Sequence, residues 1–549
     1  MGALGVKAIG RPRHVQAGST LDDQAQTPGL KSHMKPLIAF ALALLQAAAV
    51  AQTATCAGSA PPDPACASPT VVYDTRIGQG ADANGVPLLT KHPDARYVYW
   101  NPGHPSASDS NAGSDPAKPK QSLSAAWASL REGKGDWLLM AQGSTYAGGF
   151  GQLPNRSGLS AQYPTVVTTY DPANPTVLRK GTVTLGTNPS EDQLLNILGA
   201  SGARMVFENI VFDKKTNSVA QVLMLGAMQR DIMFYNVRFL RTQVSMQGDH
   251  TDNPAQVKGV VFRRCVFAYG YSGAGHSQGL YLWNTDGAVI EDSVFYHNGW
   301  NGTDRNTATE KPDTFKHNAY FGTMTFNTVF RRNVSAAASS HGLQARGGGT
   351  IEDNVFANNP LNLLIGGGDE YTKYRPAGVP YSVKRNVIVG TDNIDANNPR
   401  GFGVDFINTS TGIASDNLIV NAGKLNPSTN LHAFTPHTQL DAPTAVNWVN
   451  NIVWNWGPNN MASFLKESNP HPTKLLLTMG GNVMPNEAPA GTNRKAPPAA
   501  FPDPTRTIAT FAKANGHASE QAFWDHAIQH PEINWAKLIG DYIRAGFGR

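Results

Sequence analysis

The sequence is poor in charge, in cysteine and in long apolar runs. Only 15% of its 549 residues are Asp, Glu, Lys or Arg, yet Val, Ile and Phe are frequent enough to exclude a disordered chain. There are three cysteines, with no CxxC and no Cys/His spacing of the kind that holds zinc. Cys56 and Cys66 flank a proline-rich segment and are placed to pair in an oxidising compartment, whereas Cys265 reads as a small buried apolar residue. The apolar run Leu37–Leu45 is too short to span a bilayer. Helical 3.6-residue periodicity is missing, as are Trp-Asp marks at regular spacing, so helical solenoids and propellers are excluded.

The formal net charge is +5, but residues 1–51 carry five Lys/Arg and only two Asp/Glu. The remainder has 40 positive against 38 negative charges, which leaves no nucleic-acid footprint. That leader holds a second methionine, Met34, then Lys35, the apolar run, and Ala49-Val-Ala51 before Gln52. These features predict a secretory signal peptide with Met34 as the start, and hence an extracellular or periplasmic protein with no membrane anchor.

What the sequence does have is a repeat. The phrase Phe207-Glu-Asn-Ile-Val-Phe212 returns at Phe234, Phe262, Ile290, Phe330, Ile351, Val383, Ala414 and Trp448. These nine starts are separated by 27, 28, 28, 40, 21, 32, 31 and 34 residues. The shortest interval approximates one coil, and the longer ones imply insertions at turns. Alternation within each phrase is expected to send its first residue and the later Val or Ile inward. Asparagine recurs in fourth place at Asn333, Asn354, Asn386, Asn417 and Asn451, which predicts a hydrogen-bonded structural ladder rather than catalysis. Glu291-Asp292 and Glu352-Asp353 alternate with Arg-Arg and Lys-Arg in other coils and read as an outer charge ladder.

The pattern predicts an all-β, single-stranded parallel β-helix. Residues 52–92 read as an irregular Pro/Ala-rich segment, 93–484 as the β-helix and 485–549 as a linker with a helical tail. A short helix capped by Ser122 or Ser124, with Leu123, Ala126, Trp127 and Leu130 on one side, is expected to plug the N-terminal end. Two C-terminal helices are expected at Ser519–Ile528 and Trp535–Ile543, packed on the flank or the end of the solenoid.

The run Asp109-Ser-Asn-Ala-Gly with its following helix and Gly-Asp-Trp strand, the nine phrases and the ending Tyr542-Ile-Arg-Ala-Gly-Phe547 resemble the secreted right-handed parallel β-helix proteins of the pectate-lyase-like superfamily. The resemblance spans about residues 95–549. It implies a right-handed helix, but the superfamily holds polysaccharide lyases, glycoside hydrolases, epimerases, esterases and phage-type adhesins, so the activity must come from the site.

Superposing the three central coils pairs Gln278 with His317 and His341, Tyr281 with Tyr320 and Gln344, and Trp283 with Gly322 and Arg346. The tyrosines, Asn318, Gln344 and Arg346 are then expected to face outward, while the histidines have inward parity but begin their strands. Eliminating across a uronic acid needs a base at C5, a neutraliser for the carboxylate and a proton for the leaving oxygen. His317 or His341 suits the base, with Lys316 as a rival; Tyr320 suits the acid, and Arg346, Asn318 and Gln344 the neutralisers. His276, Gln278, Tyr281 and Trp300 are candidate substrate contacts. Arg346 precedes Gly347-Gly-Gly349, where a backbone could approach a ligand. The residues single out no definite cofactor; Ca2+, held by Asp304, Asp313, Asp369 and Glu370 without an EF-type spacing, stands as an alternative. The expected activity is therefore a polysaccharide lyase acting, as a monomer, on an acidic polysaccharide. A β-helix hydrolase, a uronate epimerase and a non-catalytic adhesin stand as alternatives.

Overall fold

The computed structural model describes residues 72–549, apart from segments 189–192, 199–202, 215–219, 226–229, 249–255, 272–275, 301–311, 368–373, 395–397, 399, 424–430, 439–442, 457–474, 485–493 and 496–500. The expected signal peptide and the Cys56–Cys66 pair lie outside the described residues. Strands fall into three long sheets of 15, 13 and 10 members, and each coil visits the first, second and third sheet in turn before rising to the next. One such coil is Val257–Arg263, Val266–Ala268 and Ser277–Trp283, after which Val289–Glu291 restarts the first sheet. Every pairing within the sheets is parallel except that of Asn174–Leu178 with Thr165–Asp171. This is a parallel β-helix. No described helix is long and apolar enough to cross a membrane.

The recurring phrase is the corner between the first and second sheets. Its third residue takes a left-handed backbone in all nine copies: Asn209, Asn236, Arg264, Asp292, Arg332, Asp353, Arg385, Asp416 and Asn450 all have φ between 50° and 61°. Asn and Asp tolerate that region at little cost, arginine less so. The fourth residue then turns into the coil. Asn354 donates its backbone N–H and its amide to Asn386 Oδ1 at 3.1 and 2.9 Å, and Asn386 and Asn417 repeat the step to Asn417 and Asn451. The ladder runs on to Asn482, within a tenth copy of the phrase starting at Met479, and begins at Cys265, whose N–H donates to Ser293 Oγ. Cys265 is buried as expected, and burial pushes its thiol up to about 12.

Because the corner inverts the backbone, alternation does not carry through it. First and sixth residues do point inward, forming stacks such as Phe207–Phe234–Phe262 and Phe239–Phe267–Phe295 at 4.5–5.2 Å. The fifth residues (Val211, Val266, Val294, Val334, Val355, Val387) instead face out from the second sheet. They pack beneath the helices Ile508–Ala514, Glu520–Gln529 and Trp535–Gly546. This corrects the expected inward direction of the later Val or Ile: the left-handed residue adds a turn that strict period-two counting ignores.

The second sheet's outer face is thus covered by the C-terminal tail. The first sheet is covered at its N-terminal half by residues 73–89, which are irregular but firmly held. Ile77, Val86 and Leu89 pack on Tyr99, Leu139 and Val166, Arg76 donates to Gly287 O, and Arg263 donates to Gly85 O. The helix Leu123–Ala128, capped by Ser122, sets Trp127 against Phe150 and Phe207 in the N-terminal coils. Among the described residues no helix lies over the third sheet.

Candidate functional site

The third sheet carries the central strands Ser277–Trp283, Lys316–Phe321, His341–Ala345, Leu361–Gly366 and Phe402–Ile407 in parallel register. Leu280, Ala319 and Leu343 fill the core, so their neighbours Tyr281, Tyr320 and Gln344 form an outward row that continues to Leu364, Asp405 and Thr435. The expected pairing of Gln278 with His317, and of Tyr281 with Tyr320 and Gln344, is the observed one.

The sheet brings five of the expected residues into one chain of contacts. His317 Nδ1 and His341 Nδ1 lie 3.0 Å apart in a hydrogen bond, with ring planes at 88°. The His317 ring meets the edge of Tyr320 at 5.6 Å, and the Arg346 guanidinium stands 5.7 Å from the Tyr320 ring. Tyr281 leans on Tyr320 at 5.3 Å. Arg346 Nε makes no hydrogen bond. The histidines escape the expected inward parity because two consecutive residues, Asn318 and Ala319, are both fully buried at the start of their strand. That breaks the alternation and leaves His317 on the side of Tyr320.

Both imidazoles are nearly inaccessible, at 3% and 8% exposure, and both are held neutral. Burial, together with Arg346 and Arg400, pushes His341 down to about 3. His317 is lowered well below the ordinary imidazole value by burial first, then by His341, His276 and Arg346. A hydroxyl completes the pair: Ser340 Oγ is 2.8 Å from His341 Nδ1.

Other expected residues serve different ends. Asn318 is fully buried, accepting from the Asn298 amide at 2.9 Å and donating to Ser335 Oγ and Ala336 O, so it is a ladder residue and not an outward neutraliser. Lys316 is buried, with its ammonium 2.7 Å from Asp313 Oδ2 and 4.6 Å from the Tyr271 ring centre. Trp300 donates its indole N–H to Ala337 O and stacks on His297 at 4.9 Å, which makes it a seal for the corner rather than a sugar platform. His276 packs on Phe315, an exposed aromatic whose carbonyl receives the Gln278 amide at 3.4 Å. The three glycines after Arg346 serve packing: a Cβ on Gly347 would lie 1.8 Å from Thr325 O, and one on Gly348 2.1 Å from Pro380 O. Of the acidic residues considered for Ca2+, Asp304, Asp369 and Glu370 lie outside the described residues, and Asp313 holds Lys316. Among the described residues no three His, Cys, Asp or Glu side chains are grouped to hold a metal.

Ser340, Arg400 and Asp405 were not anticipated. Ser340 adjoins His341 in sequence and was readable from that neighbour alone; Arg400 and Asp405 enter from a coil whose pairing with the centre only the register reveals. The paired carboxylates are spent elsewhere. Glu291 meets Arg263, Arg331 and Arg332 at 2.7–2.9 Å, and Asp353 meets Arg385 at 2.8 Å, at the corner beside the C-terminal helices. The charge ladder is as read from the sequence.

No protein-family model matches the chain, and no curated protein matches it. Solved structures do. Pectate lyase Pel9A is 18% identical over 60% of this chain and 80% of its own, at a TM-score of 0.36. A rhamnogalacturonan lyase is 13% identical over 74% and 90%, at 0.34. A mannuronic acid specific polysaccharide family 6 lyase from human gut microbiota is 11% identical over 72% and 93%, at 0.33. The tailspike gp61 of Pseudomonas phage phi297 also matches, at 11% identity and 0.24 over 58% and 51%. These likenesses go no further than the β-helix that the three sheets already define, and function rests on the site.

Proposed function

We propose that the chain is an exported polysaccharide lyase that cleaves a uronic-acid-containing polymer by β-elimination on the outer face of the third sheet. The observation that carries this reading is the neutral His317–His341 pair in contact with Tyr320, which itself carries Arg346. A neutral imidazole accepts a proton, the half-buried Tyr320 ring offers a surface to a sugar, and the Arg346 guanidinium offers charge to a carboxylate whose α-carbon is losing its proton. Adjacent strands about 4.8 Å apart suit a sugar chain lying across them. Tyr281 beside Tyr320 supplies an aromatic floor for it, and Gln344 stands next in the same row.

A hydrolase of this chain would need two free carboxyl groups facing one bond. The recurring Glu-Asp pairs are tied to arginines, which removes the carriers considered for it. The test is absorbance near about 235 nm, where the unsaturated uronate absorbs, during incubation with a panel of uronate polymers with and without chelator. A rise abolished in His317→Gln and in His341→Gln supports the reading. New reducing ends without absorbance would replace it with hydrolysis, and tight binding without either product would make the chain an adhesin.

A further inference from the structure

The hydroxyl beside the histidine pair decides which imidazole is the base. Ser340 is fully buried, and its Oγ has one hydrogen-bond partner among the described residues, His341 Nδ1. A buried O–H left without an acceptor is costly, so the hydroxyl donates to that nitrogen. His341 Nδ1 then carries no hydrogen, and its proton sits on Nε2. The same Nδ1 is 3.0 Å from His317 Nδ1, so with Nδ1 bare its single lone pair is shared between two donors, the Ser340 hydroxyl and His317 Nδ1–H. His317 is consequently bare at Nε2. Neither Nε2 has a hydrogen-bond partner among the described residues.

We propose, building on the lyase reading, that His317 and His341 act as one acid–base couple sharing a proton path, with His317 Nε2 as base, His341 Nε2–H as acid and Ser340 as the positioning residue that sets this polarity. In the elimination, His317 Nε2 takes the C5 proton and the C5–H electron pair becomes the C4–C5 double bond. The C4–O bond breaks, its electrons staying with the leaving oxygen. The His317 Nδ1 proton passes to His341 Nδ1, and the His341 Nε2 proton goes to that oxygen. One proton enters and one leaves, so the pair never holds a net charge. This accounts for a base in surroundings where Arg346 and Arg400 oppose an imidazolium. The couple ends in the reversed tautomer, and Ser340, which prefers a bare His341 Nδ1, drives its return. Tyr320 is left to contact the sugar.

The test is two-bond proton–nitrogen correlation on protein labelled with 15N-histidine, assigned with His317→Gln and His341→Gln. The expected spectrum shows His317 protonated at Nδ1 and His341 at Nε2. Both rings protonated at Nε2, or the opposite polarity, overturns the proposal. Ser340→Ala is expected to mix the two tautomers and lower kcat about tenfold with KM little changed, and Ser340→Thr to restore both. A wild-type spectrum and kcat in Ser340→Ala would overturn the positioning role. The spectrum needs no substrate: the expected tautomers without elimination on any polymer would sink the lyase reading and leave the couple standing. Elimination with the wrong tautomers would do the reverse.

Discussion

Acid should weaken this protein through His341, by an amount that a single substitution can isolate. In the native state its pKa is about 3, against 6.5 for an ordinary imidazole. Between these values the unfolded chain binds a proton that the native chain refuses, so stability is full above pH 6.5 and is lost as pH falls toward about 3. At about pH 4.5 the difference is two pH units at about 1.4 kcal/mol each, or about 3 kcal/mol from this group alone. His341→Gln keeps a hydrogen-bonding side chain but cannot titrate. Urea unfolding followed by tryptophan fluorescence, at about pH 7 and about pH 4.5, gives the acid-induced loss for each protein. The wild type should lose about 3 kcal/mol more than the variant, because the carboxylates common to both cancel. Losses that agree to within about 0.5 kcal/mol would refute the neutral buried imidazole on which the site is built.

Asn386→Ala removes two donations to Ile351 O and Asn417 Oδ1 and the acceptor for Asn354, and should cost about 3 kcal/mol or more in unfolding experiments; a loss below about 1 kcal/mol would mean the ladder is incidental to stability. Tyr320→Phe keeps the ring against His317 and Arg346 but loses the hydroxyl, whereas Arg346→Ala loses the charge. Arg346→Ala should lower kcat/KM on an acidic polymer about a hundredfold with unchanged circular dichroism, and activity equal to the wild type would remove Arg346 from substrate binding. A Cβ on Gly322 would lie 2.2 Å from Trp283 Cε3, so Gly322→Ala should displace that indole and shift its fluorescence without unfolding the coil; unchanged emission would mean the indole does not pack on Gly322.

The β-helix was legible because its corner is a local event. Nine similar phrases each had to supply a core residue and a tight turn, which show in the sequence as an apolar first residue and a polar or charged third, and the last five add Asn in fourth place as the ladder residue. What the phrase concealed was the turn's backbone: the left-handed residue is third, where Arg264, Arg332 and Arg385 give no hint of it. That one residue reversed the direction inferred for the following valines and hid the face on which the C-terminal helices sit. The helix Ile508–Ala514 was missed because seven residues hold barely two turns, and its capping box is Thr507 with Thr510 rather than the usual Glu. At the site, register alone paired the right coils, since parallel strands in a solenoid repeat with little slip. Asn318 was misplaced because ladder and outward positions share residue type, and only its four bonds distinguish them.

The placement of the site follows from how the three outer faces are used. The C-terminal helices close the second sheet with apolar contacts, and residues 73–89 cover part of the first through Ile77, Leu89 and the arginine bonds. The third sheet keeps half-buried tyrosines on its outer side, with the Arg346 guanidinium against the Tyr320 ring. Arg346 and Arg400 make this face attractive to a carboxylate; burial above all, with Arg346 beside both imidazoles and Arg400 beside His341, lowers His317 and His341. A carboxyl-reduced form of an accepted polymer should accordingly bind more weakly, and it should not be eliminated at all, because its C5 proton no longer lies next to a carboxyl group. Binding of the reduced polymer as tight as that of the acidic one would show that Arg346 and Arg400 take no part in recognising the carboxylate.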